Sequence, residues 1–467
     1  MTIEQIYTGC LAQGAYYIES NGEAAIIDPL REVTPYLKRA AKDNAKIMYV
    51  FETHFHADFV SGHVTLAEKT GAPIIYGPNA NPTFEALIAT DGQEFKLGKT
   101  TIKVLHTPGH TLESTTYLLK DENGKDHAIF SGDTLFLGDV GRPDLAQKGA
   151  MTQDDLAGLL YDSLRSKIMP LADDVTVYPA HGAGSACGKN MMKETVDLLG
   201  NQKKVNYALR ADMTKAEFIK EVTDGLAPPP EYFPLNVKMN REGYEDISEV
   251  LKRGHTALDA EDFETAANTT GAVVLDVRHQ NDFINGHIPR SIFIGLHGDF
   301  APWVGALIAD TEQPLLLIVP EGKEEETLTR LSRVGFDGTI GYLKGGIEAW
   351  RHAGKDLDTL ASQPAAEAAE KIRNTEQPVF DVRKKEEYRA ERLTEAVNTP
   401  LGKLNSYLSS FPKGESFFIH CAGGYRSVIA ASILKSRGIH NMVNIEGGFN
   451  TLKTDGLETV GQACSGS

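Results

Sequence analysis

Thr53-His54-Phe55-His56-Ala57-Asp58-Phe59 is the stretch whose reading decides the fold. It follows an apolar, strand-like run from Ile47 to Phe51, so its polar side chains are expected on a loop at a strand end. Two histidines separated by one residue, with an aspartate close behind, bring imidazole and carboxylate donors together from one tight turn, which suits a transition metal. Phe59 stands where a second metal would want one more imidazole, and a phenyl ring ligates nothing. The stretch therefore predicts a single metal ion with open coordination positions.

Further donors follow the same grammar of strand, turn residue, donor. His110 lies in Thr107-Pro108-Gly109-His110-Thr111 after the strand-like 101–105, and Asp133 lies in Phe130-Ser131-Gly132-Asp133-Thr134 after an apolar run. His181 lies in Tyr178-Pro179-Ala180-His181-Gly182. One histidine in such a place is usually structural. The whole ordered set at successive strand exits is better explained by a metal.

This set resembles the metallo-β-lactamase fold, an αββα sandwich of two sheets with its metal site at one edge, over roughly residues 1–240. Within that fold it is most similar to the persulfide dioxygenases, which oxidise the outer sulfur of a thiol persulfide to sulfite with O2. The resemblance implies that His54, His110 and Asp133 hold one Fe(2+) per chain. Two imidazoles and one carboxylate on one face is also the arrangement of non-heme iron(II) oxygenases. His56 and Asp58 are then expected to orient ligands or bound water, with His181 facing the second-metal pocket and the substrate. The resemblance gives Arg142 the carrier thiol to hold, because a guanidinium suits bidentate capture of a carboxylate or phosphate; the competing role is an ion pair with Asp139 or Asp144. After His181 the chain runs Gly182-Ala183-Gly184-Ser185-Ala186-Cys187-Gly188, without the aromatic-rich segment of the glutathione-specific enzymes. Glutathione, coenzyme A and other small thiols all remain open as carriers.

At 467 residues the chain exceeds what one core supports, and three domains are expected. Its 47 basic and 64 acidic residues give a formal charge of −17, a poor match to nucleic acid or an anionic membrane. No apolar run reaches membrane-spanning length, and the first residues do not read as a leader. Four scattered cysteines, at 10, 187, 421 and 464, read as thiols of a cytoplasmic protein rather than a disulfide framework. A homo-oligomer is compatible with all of this.

The second half contains an internal repeat. Val273-Val274-Leu275-Asp276-Val277-Arg278 is echoed by Pro378-Val379-Phe380-Asp381-Val382-Arg383, and a paired glycine closes each unit, at Gly345-Gly346 and Gly447-Gly448. Buried strands alternate with amphipathic helices, the sign of a parallel α/β sheet. Both units resemble rhodanese sulfurtransferase modules, at 255–358 and 365–467, with linkers expected near 240–254 and 360–369. In the second, the strand-like 416–420 ends at Cys421, followed by Ala422-Gly423-Gly424-Tyr425-Arg426-Ser427 and a helix. Backbone N–H groups and a helix N-terminus then face the sulfur and favour its thiolate, and Arg426 adds positive charge. The six residues from Cys421 to Arg426 match the loop length of rhodaneses that carry a sulfane sulfur; related phosphatases use one residue more. In the first module the corresponding loop reads Pro320-Glu321-Gly322-Lys323-Glu324-Glu325, without Cys or Arg, although the scaffold motif Gly286-His287-Ile288-Pro289 is kept. That module is expected to be an inactive spacer or docking unit. Cys10, Cys187 and Cys464 are expected to be bland free thiols, with Cys187 close enough to line the metal pocket, and 155–168 to be an ordinary amphipathic helix.

Together these readings predict an α/β chain: an αββα sandwich followed by two rhodanese-like parallel-sheet domains. The expected activity is iron-dependent oxidation of a small thiol persulfide with O2, coupled to sulfur transfer between persulfide, sulfite and thiosulfate. The competing expectation is a zinc-dependent glyoxalase II-like thioesterase fused to a sulfur-carrier or sulfur-sensing module.

Overall fold

Residues 1–145, 151–226, 228–308 and 310–461 are described by a computed structural model, which divides into two compact units. The first comprises Met1–Glu249 with Leu331–Gly335, and the second Val250–Arg330 with the chain from Phe336 onward. Cys464 lies outside the described residues.

Two six-stranded sheets form the first unit. The strands are β1 (Thr2–Thr8), β2 (Gln13–Ser20), β3 (Glu23–Ile27), β4 (Lys46–Phe51), β5 (Ile74–Tyr76) and β6 (Leu87–Ile88), joined in that order. The second sheet holds β7 (Glu94–Leu97), β8 (Thr100–His106), β9 (Thr115–Lys120), β10 (Asp126–Gly132), β11 (Thr176–Pro179) and β12 (Asp197–Leu198), again in sequence order. The alternation of side chains along each strand builds three apolar layers. Tyr16 and Ile18 point inward with Phe51, Ile75, Val104, Tyr117 and Phe130 between the sheets. Ala15 and Tyr17 point outward against Tyr36, Ala40 and Leu66 of helices Thr34–Lys42 and His63–Thr70. On the far side Leu118, Ile129 and Val177 pack under Leu160 and Phe218 of helices Gln153–Ser163 and Lys215–Thr223. This is the expected αββα sandwich. The helix predicted at 155–168 begins at a capping box between Thr152 and Asp155 and ends in a π-helical turn, Leu164–Ile168.

Each rhodanese-like module of the second unit has a parallel five-stranded sheet. The first holds β13 (Ala257–Leu258), β14 (Val273–Asp276), β15 (Ile292–Phe293), β16 (Leu315–Ile318) and β17 (Thr339–Leu343), in the order 13-17-16-14-15. The second holds β18 (Ser362–Pro364), β19 (Val379–Asp381), β21 (Ala396–Asn398), β22 (Phe417–His420) and β23 (Met442–Glu446), in the order 18-23-22-19-21; β20 (Glu391–Leu393) pairs apart with β24 (Thr459–Gly461). Both stretches expected as linkers are structured instead. The first carries helix Ile247–Gly254, with Ile247 and Val250 buried. The alanines near 365 form a packing face of helix Ala365–Asn374, where Ala365, Ala368 and Ala369 are buried.

Candidate metal centre and sulfur loop

The donors are delivered by the ends of four strands. β4 lies parallel to β3 and β5 and runs out into the loop of His54, His56 and Asp58. β8 leads to His110, while β10 and β11 pair in parallel and deliver Asp133 and His181 side by side. Gly132, at φ +54, makes the turn before Asp133, and a Cβ there would meet the Thr53 side chain at 2.7 Å. The strand–turn–donor grammar therefore has a steric basis.

His54, His110 and Asp133 converge, with one donor atom of each within 4.8 Å of the others, and all three are buried. Asp133 Oδ2 lies 3.4 Å from His110 Nε2 and 3.9 Å from His54 Nε2. The far sides of both rings are fixed. His110 Nδ1 donates to the Arg142 carbonyl at 2.7 Å. Thr53 Oγ1 donates to Asp28 at 2.8 Å and so is left to accept from His54 Nδ1 at 3.0 Å. Each Nε2 lone pair is thereby aimed at the centre. Burial, together with the imidazoles of His56, His110 and His181, holds His54 well below the ordinary histidine range, in its ligating form.

A second trio, His56, Asp58 and His181, adjoins the first. His181 Nε2 is 3.5 Å from Asp58 and 3.6 Å from Asp133. His56 Nε2 turns away toward Asp28 at 3.1 Å and Glu52 at 3.5 Å. Burial opposes its charging, yet these carboxylates push His56 up to about 9. Phe59 is fully buried, its ring 4.3 Å from that of His56 and 6.4 Å from that of His181. Both carboxylate oxygens of Asp133, both ring nitrogens of His181 and Asp58 Oδ1 are buried without a hydrogen-bond partner. Buried polar atoms left this way are costly unless a cation satisfies them. The donors therefore fit a metal.

Two participants, Asp28 and Asn240, have no counterpart in the sequence reading. Asp28 receives the Thr53 N–H at 2.7 Å and anchors the whole loop. Asn240, on helix Phe233–Glu242, donates to the carbonyls of His56 and Phe59 at 2.8 and 2.7 Å and accepts from the Ser61 N–H at 2.8 Å. Cys187 is buried with its sulfur among the donors of Asp133 and His181. Burial, then Asp58 and Asp133, push its thiol well above the usual range. The Arg142 guanidinium engages Asp144 through two hydrogen bonds of 2.6 and 2.7 Å and the Ala186 carbonyl at 3.2 Å. The expected ion pair with Asp144 is formed, and the Arg142 carbonyl buttresses His110.

In the second unit, Cys421 ends β22 and is buried, with the Gly424 N–H donating to its sulfur at 3.1 Å. Ala422, Gly423 and Gly424 curve the loop into helix Tyr425–Ser436. Ser427 Oγ donates to Asn444 at 2.7 Å, and Tyr425 Oη donates to the Gly295 carbonyl of the first module at 2.7 Å. Arg426 forms a two-pronged pair with Glu387, at 2.6 and 2.8 Å.

The model of the metallo-beta-lactamase superfamily matches residues 8–181, and that of the rhodanese-like domain matches 259–353 and 364–455. A crystal structure of a metallo-beta-lactamase from Staphylococcus aureus subsp. aureus COL aligns with a TM-score of 0.64 at 30% identity, covering 74% of this chain and 98% of that one. The mitochondrial persulfide dioxygenase ETHE1 of Homo sapiens is 27% identical over 224 residues, 47% of this chain and 78% of the human protein. A probable hydroxyacylglutathione hydrolase of Schizosaccharomyces pombe is 29% identical over 166 residues, 35% of this chain and 60% of the yeast protein. Among the described residues, no helix is long and apolar enough to cross a membrane.

Proposed function

Since the chain belongs to the metallo-β-lactamase superfamily and carries two rhodanese-like domains, an architecture that fits a persulfide dioxygenase–rhodanese fusion, we propose that it oxidises a small thiol persulfide to sulfite and handles the sulfane sulfur on Cys421. The observation that carries this reading is a two-imidazole, one-carboxylate centre on the same chain as a six-residue cysteine loop. His54, His110 and Asp133 would hold iron(II), which in such a site supplies open positions for sulfur and O2. The overall change is RSSH + O2 + H2O → RSH + SO3²⁻ + 2H⁺. His56, held between Asp28 and Glu52, and Asp58, beside His181, orient the groups around the centre. Phe59 supports one metal rather than two, because its ring fills the flank of His56 with carbon.

The Cys421 loop completes the chemistry. A Cys421 persulfide passes its outer sulfur to sulfite, leaving the thiolate and releasing thiosulfate; the reverse reaction loads the cysteine. The Gly424 N–H is aimed at the sulfur in either direction. Free thiols at Cys10, Cys187 and Cys421 support a reducing, cytoplasmic setting. A zinc-dependent thioesterase is the second reading, favoured by the His56, Asp58 and His181 trio and by the hydrolase relatives. Metal analysis together with O2 uptake on a thiol persulfide, against cleavage of a glutathione thioester, decides between them. Two zinc ions and no O2 uptake would end the dioxygenase reading. His110→Ala is expected to lose the iron and O2 uptake while sulfur transfer by Cys421 survives.

A further inference from the structure

Arg426 is the cation nearest in sequence to the nucleophile, and its two terminal nitrogens are already taken. Nη1 and Nη2 donate to Glu387 Oε2 and Oε1 at 2.6 and 2.8 Å. This fork-to-fork geometry is the strongest form of such a pair. Glu387 is itself fixed, because Oε2 also accepts the Lys384 backbone N–H at 3.0 Å at the start of helix Lys385–Ala390. The side chains retain only 17% and 34% of their exposure, so water screens the pair incompletely. Arg426 closes the six-residue loop that begins at Cys421 and stands in the first turn of the helix that follows it. The loop of the cysteine therefore carries a compensated pair rather than a bare cation.

We infer that Glu387 sets the charge preference of the Cys421 loop, disfavouring small free oxyanions such as thiosulfate relative to uncharged reacting groups. An incoming oxyanion meets a guanidinium whose charge is matched, and it must approach or displace a carboxylate of its own sign. A thiol-borne sulfur with no charge at the reacting end meets no such opposition. Discrimination of this kind works by repulsion of the wrong partner rather than attraction of the right one. Applied to the proposed sulfur transfer, on which this consequence rests, sulfite and thiosulfate are both held weakly, and thiosulfate leaves readily once made.

The test uses the full chain and two reagents of similar size, anionic iodoacetate and neutral iodoacetamide, with alkylation followed on the Cys421 peptide by mass spectrometry. Glu387→Gln removes the charge and keeps an oxygen for the Lys384 N–H. It is expected to raise the iodoacetate-to-iodoacetamide rate ratio about tenfold, with Glu387→Ala shifting it the same way. In the thiosulfate–cyanide assay, KM for thiosulfate should fall by a similar factor while kcat stays within about twofold. An unchanged ratio in both variants overturns the inference. Equal slowing with both reagents also overturns it, since Glu387 would then be mere scaffolding. A raised ratio in a protein that never transfers sulfur upholds the charge preference and refutes the sulfurtransferase reading instead.

Discussion

In the first rhodanese-like module Arg278 donates to Asp276 at 3.0 and 2.6 Å and to the Gly286 carbonyl at 2.8 Å; in the second, Arg383 donates to Asp381 at 3.1 and 2.8 Å and to the Glu391 carbonyl at 2.7 Å. Both pairs end a central strand, β14 or β19, that lies parallel to two neighbours. The loops after β16 and β22 then part company. One reads Pro320-Glu321-Gly322-Lys323, the other Cys421-Ala422-Gly423-Gly424. Their closing glycines differ in the same way. A Cβ on Gly448 would sit 2.3 Å from the Cys421 carbonyl, whereas one on Gly346 would meet nothing within 4 Å, although both residues have positive φ. The scaffold is kept by buried ion pairs, and the difference between the modules lies in a loop and the backbone pressed against it.

The largest expected effect separates the modules outright. Cys421→Ser should abolish sulfur transfer and leave O2 uptake intact; transfer surviving in that variant would mean the first module or another thiol is active. Next, Arg278→Ala and Arg383→Ala each strand a buried aspartate, which should cost about 3–5 kcal/mol in both modules. Urea titration checks whether the losses match. A large inequality would show that the two scaffolds are not equivalent.

Glycine substitution sharpens the contrast. Gly346→Ala faces backbone strain alone, on the order of 1 kcal/mol. Gly448→Ala adds the clash with the Cys421 carbonyl and should cut sulfur transfer at least about tenfold by moving the loop. Equal, mild effects on turnover would break the assignment of that glycine to the active loop. A pH-dependent contrast concerns His287, which the second module replaces with Arg392. Burial holds His287 at about 4, against an ordinary 6.5, although Asp358 and the Phe283 carbonyl oppose this. A histidine with a lowered folded value contributes stability above pH 6.5 that is lost as the pH falls toward 4. Between pH 7 and pH 5 that loss should be about 2 kcal/mol. Comparing urea midpoints of the native chain and His287→Leu at the two pH values tests it, since the variant should lack this increment.

Strand exits made the convergent His and Asp side chains legible, because a loop after a buried strand must place polar residues at the sheet edge and glycine there permits the turn. Asp28 obeys the same grammar in Ile26-Ile27-Asp28-Pro29 and could have been found by it. Asn240 could not, since it acts on His56 across 184 positions with no local pattern to mark it. Glu387 was hidden for a related reason, being one of two neighbouring glutamates on a short helix until the fold set it against Arg426. At the alanines near 365, small residues read as a linker but serve as a close-packed helix face. Spacing reveals what a strand presents; it is silent on what a distant helix brings to it.

Asn240 also bears on where the front half can be cut. Every proposed metal donor precedes residue 182, yet three of the bonds that hold their loop come from a side chain nearly sixty positions later. A fragment ending soon after His181 would keep the complete ligand inventory and lose the strap across it. Excision of this half for separate study should therefore run past Glu242.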